Sequence, residues 1–120
     1  KGFISKKLFL KKKFFGDDIV LLKTKIKVDK EFNPNFTYLE KTGAEFLASN
    51  KVKAVGIDSL GIERNQPNHE THKILAKKNI PIFEGLDLSK VKQGRYLFYG
   101  FPLKIRNGDG SPIRCVIIGR

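Results

Sequence analysis

Residues 69–86, HETHKILAKKNIPIFEGL, decide the fold. Asn68 stands before them as a capping residue, and Ile74 and Leu75 lie among polar and basic neighbours, which predicts a helix over HETHKILAKKN. IPIFEGL then reads as a short buried strand closed by Gly85. The same stretch holds the chain's only two histidines, His69 and His72, and sets Glu84 inside an apolar run. At i and i+3 the histidines project from neighbouring positions on one helical face. The spacing is not that of H-E-x-x-H, and taken alone it reads as a polar helix start. Glu84 is harder to place, because a carboxylate in an apolar run must face water, pair with a cation or bind a metal. A tight connection from helix to strand lets His72 and Glu84 converge, and zinc and manganese both accept an imidazole with a carboxylate.

Working outward, the pattern of helix and strand repeats. Ser5 and Gly16 bracket KKLFLKKKFF as the cap and stop of a short helix. DIVLLKTKIKV follows as a strand that alternates Thr24, Ile26 and Val28 against Lys23, Lys25 and Lys27. DKEFNPNFT reads as a loop, and YLEKTGAEFLASN spaces Leu39, Gly43, Phe46 and Leu47 along a helix. KAVGIDS is a compact strand ending at Asp58 and Ser59. Asp58 is a further metal ligand, a group that orients an imidazole, or a cap on the next turn, and the cap is the preferred reading. LGIERNQPN is again a loop. GRYLFYGFPLKI and SPIRCVIIG form a β-hairpin whose turn draws on Asn107, Gly108, Asp109 and Gly110 for positive φ. Phe98, Tyr99 and Phe101 read as core residues and Cys115 as a buried one. The expected fold is α/β, a mixed β-sheet with flanking helices, in one domain over residues 1–120.

Composition narrows the classes. Hydrophobic residues make up 40% and charged residues 30% of the 120, a mixture that packs a core. The net charge of +12 invites a polyanion, yet most of the 24 basic residues are lysine, which reads as a solvated surface and not as a nucleic-acid reader. The lone Cys115 excludes an intrachain disulfide and fits a reducing compartment. No apolar run approaches the roughly 18 residues of a membrane span, and the lysine-rich start lacks a signal-peptide core. The expectation is a soluble cytoplasmic protein with no membrane partner. The chain begins at Lys1 and contains no methionine; it is read as a processed form, a fragment, or a sequence whose methionines are not represented.

Taken in order, GDDIVLLKT, YLEKTGAEFLASNKVKAVGIDS, HKILAKKNIPIFEGLDLSKV, GRYLFYGFPLKI and DGSPIRCVII resemble the C-terminal portion of the cyclase family of metal-dependent hydrolases, which includes bacterial kynurenine formamidases. The resemblance spans nearly the whole chain. It implies part of a swivelling β/β/α domain, a homodimer or higher homo-oligomer, and one or two zinc or manganese ions per site. It also implies His72 as metal ligand or proton shuttle and Glu84 as metal ligand, and it offers no match for His69. The implied reaction is metal-dependent hydrolysis of an amide, such as the aryl formamide N-formylkynurenine, or of a related carbonyl bond. The family's H-x-G-T-H-x-D-x-P-x-H motif is absent, so the metal site is incomplete in this chain. The alternative is a noncatalytic domain, oligomerising or nucleic-acid-binding, that lacks the metal motif.

Overall fold

The structure, a computed structural model, describes residues 2–24, 26 and 32–119. In chain order its elements are β1 (Phe3–Ile4), β2 (Ile19–Leu22), β3 (Tyr38–Leu39), α1 (Lys41–Ser49), β4 (Ala54–Ile57), α2 (Glu70–Lys77), β5 (Ile82–Phe83), β6 (Tyr96–Pro102) and β7 (Ile113–Gly119). Short 3-10 turns cover Lys6–Leu8 and Pro67–His69. The chain divides after Ser89 into two compact units.

The first unit is layered α/β. AVGI carries no polar side chain, and β4 is accordingly buried at all four residues. It lies in the middle of a parallel sheet ordered β2-β4-β5, with Ile19 opposite Ala54 and Val55 opposite Ile82. Parallel pairing requires crossovers, which α1 and α2 supply. A second parallel pair, β1 with β3, sets Phe3 opposite Tyr38. Helix α1 buries Gly43, Ala44, Leu47 and Ala48, one stripe at helical spacing. A Cβ on Gly43 would lie 2.8 Å from the Ile4 carbonyl oxygen and 2.6 Å from Leu39 Cδ1, so a glycine is what lets the helix lie this close to β1. At the far end, the Asn50 side-chain amide donates to the Phe46 carbonyl. Leu39, Leu47, Val55, Ile57, Ile62 and Leu75 meet in the core.

The helix expected after Ser5 is a single 3-10 turn, and Ser5 makes no side-chain cap. Phe9 stacks on Phe46 with ring centroids 5.9 Å apart, and Phe14 packs edge-on against both rings. Five residues are about 140° apart on a helix, so a continuous helix could not turn both phenylalanines to the same core. The strand expected through DIVLLKTKIKV ends at Leu22. Lys25, Lys27 and Val28 of the expected alternation lie outside the described residues.

In the second unit β6 and β7 form the expected antiparallel hairpin, Tyr96 opposite Gly119 and Pro102 opposite Ile113. Of the turn residues, Asn107 has positive φ, at 57°, and the two glycines do not. The aromatic residues are a correction. Register puts Leu97, Tyr99, Phe101, Val116 and Ile118 on one face, and all five are exposed, Phe101 at 60%. Two strands have no layer of their own to lay against that face. Cys115 is half-buried where burial was expected, enough to push its thiol pKa up. Among the described residues no helix is long and apolar enough to cross a membrane.

Candidate metal centre

The loop from β4 to α2 carries more buried polar side chains than its sequence advertises. Asp58, Ser59 and Glu63 are buried there, and Thr71 in the first turn of α2 joins them. Burial of such groups is tolerable only with hydrogen bonds. Among the described residues no buried side-chain polar atom lacks one. Asp58 accepts from the Thr24 backbone N–H at 2.9 Å and from its hydroxyl at 2.7 Å. It therefore ties down the segment after β2, and does not cap its own turn as the sequence suggested. Ser59 donates to the Thr37 carbonyl, and Thr71 to that of Leu39.

Helix α2 begins unusually. Asn68 and His69 both have left-handed backbones, with φ of 60° and 51°, and neither caps the helix. The expected Asn68 cap is replaced by Glu63, seven residues before the helix starts. One Glu63 oxygen, Oε2, accepts from the Thr71 N–H at 3.1 Å and from the Gln66 amide; Oε1 accepts from the His72 N–H at 3.1 Å and is in hydrogen-bond contact with His72 Nδ1. A buried carboxylate thus satisfies two orphan N–H groups at the positive end of the helix. Burial pushes the Glu63 carboxyl pKa up, but hydrogen bonds from the His72 ring, the His72 and Thr71 N–H groups and Gln66 outweigh it, and the net shift is downward.

The other edge of the His72 ring looks across to β5. Glu84 is the first residue beyond that strand, where Gly85 takes a left-handed φ of 65° and donates to the Ser59 carbonyl. Glu84 Oε1 accepts from the Ile62 N–H at 2.8 Å and stands 3.6 Å from His72 Nε2. Both side chains are partly open, 45% for His72 and 38% for Glu84, against 3% for Glu63. The structure thus brings together the two residues the sequence singled out. His69, which the resemblance left unmatched, has its Nδ1 at 3.9 Å from Glu63 Oε1 with the ring exposed.

Two donor sets compete for a cation. Glu63, His69 and His72 offer ligand atoms all within 4.8 Å of one another. Glu63, however, already receives four donors, and both oxygens are committed. The pair His72 Nε2 and Glu84 Oε1 fits better. Tetrahedral bonds of about 2.1 Å place ligand atoms about 3.4 Å apart, close to the observed gap. A nitrogen and a carboxylate oxygen are also the chemistry that zinc and manganese take. They make two ligands where three are usual, so these residues fit as part of a site.

Sequence reasoning missed Glu63. Its only signal is a charged residue directly after Ile62, in a loop that leads to a helix whose nearest capping residues are not used.

No protein-family model matches the chain. Cyclase-like protein 3 of Oryza sativa subsp. japonica is 36% identical over 91 residues, 74% of this chain and 34% of that protein. A kynurenine formamidase of Delftia acidovorans is 32% identical over 74 residues, 61% of this chain and 35% of that protein. A solved structure described as a potential metal-dependent hydrolase with cyclase activity superposes with a TM-score of 0.92 at 37% identity, covering 98% of this chain and 58% of its own. The chain spans about a third of the length of the two sequence relatives.

Proposed function

We propose, from homology to cyclase-like proteins and kynurenine formamidases, that residues 1–120 are the C-terminal portion of a metal-dependent hydrolase domain whose whole polypeptide hydrolyses an amide bond. The observation that carries this reading is His72 Nε2 facing Glu84 Oε1 at 3.6 Å, one nitrogen and one oxygen donor converging from α2 and the end of β5. The substrate of choice is an aryl formamide such as N-formylkynurenine, in keeping with the named activity of the Delftia relative. The remaining ligands would come from outside these residues, since the chain's one other histidine, His69, has its nearest ring nitrogen turned to Glu63 and not to the His72–Glu84 pair. A homo-oligomer in the cytoplasm completes the reading.

A zinc or manganese ion held there would supply an activated water and polarise the scissile carbonyl. The chain's own residues prepare for that. With Nδ1 committed to Glu63, His72 has one nitrogen left, which can hold a metal or exchange a proton but not both at once. Its proximity to a carboxylate favours the ligand role. Glu84 brings the negative charge, and its hydrogen bond from Ile62 holds Oε1 in place.

The test is hydrolysis of N-formylkynurenine by the protein that carries this chain, with added Zn2+ or Mn2+. Kynurenine should form, cease on chelation, and fall by about a hundredfold or more in His72→Ala and Glu84→Ala. Activity untouched by both substitutions would rule the reading out.

A further inference from the structure

We propose that Glu63 is a positioning residue that locks His72 in the Nδ1–H tautomer, so that Nε2 presents a lone pair toward Glu84 before any metal arrives. Its bearing on hydrolysis rests on the reading above; the tautomer does not. Three observations support it. Glu63 Oε1 is in hydrogen-bond contact with His72 Nδ1, and an ionised carboxylate can only accept, so the proton belongs on Nδ1. The same carboxylate accepts the His72 backbone N–H at 3.1 Å and that of Thr71 at 3.1 Å, which fixes it relative to the helix that carries the ring. Its side chain is 3% exposed, so water does not compete for those oxygens. Ring and backbone of His72 are held by one group, which leaves little freedom for the imidazole to flip.

A free histidine in water favours the opposite tautomer, with the proton on Nε2. That form would aim an N–H at Glu84 and could not bind a cation through the exposed nitrogen. Setting the tautomer in advance removes a reorganisation that the metal would otherwise have to impose. Glu63 thereby caps α2 and orients the ring with the same two oxygens, which explains why a carboxylate is buried in a loop that lies outside every periodic segment.

The decisive experiment is nitrogen-15 NMR of the neutral His72 ring in the metal-free protein. The expected spectrum has a protonated Nδ1 and an unprotonated Nε2. An Nε2–H ring, or a water-like mixture, overturns the proposal. Glu63→Ala should shift the ring toward Nε2–H and weaken Zn2+ binding by about 10–100-fold. Glu63→Asp, which keeps the carboxylate, should recover part of both; a role in capping alone would leave the wild-type tautomer unbiased. If Glu63→Ala fails to fold, the wild-type spectrum still decides. An Nδ1–H ring in a protein that binds no Zn2+ would uphold the positioning role and count against the hydrolase reading.

Discussion

The unit before Ser89 and the hairpin after it use similar apolar residues to opposite ends. In the first, a parallel sheet crossed by α1 and α2 buries every residue of β4 and gathers Leu47, Ile57 and Leu75 into a core. In the second, Leu97, Tyr99, Phe101, Val116 and Ile118 alternate as cleanly as any buried strand, yet their shared face is exposed. The difference teaches that alternation reports which residues share a face, while burial depends on whether another layer lies against it.

That contrast can be broken by mutation. Leu47→Ala should cost about 2–5 kcal/mol in urea unfolding, whereas Leu97→Ala should stay within about 0.5 kcal/mol. Equal losses at the two positions would erase the distinction between the units. Next in size is Glu63→Ala, which leaves the N–H groups of Thr71 and His72 without their acceptor; about 2–3 kcal/mol should be lost in the same measurement. A neutral result would mean that Glu63 does not cap α2.

Glycines sharpen the comparison on a smaller scale. Gly43→Ala pushes a methyl against the Ile4 carbonyl and should cost about 1–3 kcal/mol. Gly110→Ala, in the hairpin loop, meets open space and should be neutral or stabilise by about 0.5 kcal/mol. Thermal melts of the two variants moving in the same direction would contradict the packing described for α1.

The smallest effect is on pH dependence. Because the folded Glu63 pKa lies below its unfolded value, its contribution to stability is complete above the unfolded pKa, about 4.3, and is lost as pH falls through the folded one. Unfolding free energies measured from pH 6 downward should decline more steeply for the wild type than for Glu63→Gln. Parallel curves would mean that Glu63 has the same pKa folded and unfolded.

What was legible in the sequence was local. His72 and Glu84 are joined by one helix, one tight connection and one strand, so the local pattern could let them converge, while the choice of His72 over His69 comes from the family resemblance. Strand β4 was equally open, and so was helix α1 from Lys41 onward, but Tyr38 and Leu39, read as the start of that helix, form strand β3 because they pair with β1, a distant partner that local periodicity does not report. Glu63 was not, since its partners depend on a loop in which Asn68 and His69 in succession adopt left-handed backbones, a conformation uncommon outside glycine even though Asn and His take it more readily than most. Asp58 escaped for a related reason, its partner Thr24 lying 34 residues away on the segment after β2. The segment after Ser5 misled because Phe9 and Phe14 read as helical company, whereas their burial against Phe46 demanded a break.

Calorimetric titration of the metal-free protein with Zn2+ tests most directly whether His72 and Glu84 are partners for one divalent cation. Binding to the wild type that is lost in both His72→Ala and Glu84→Ala is the predicted result. Undiminished binding in either variant would contradict it.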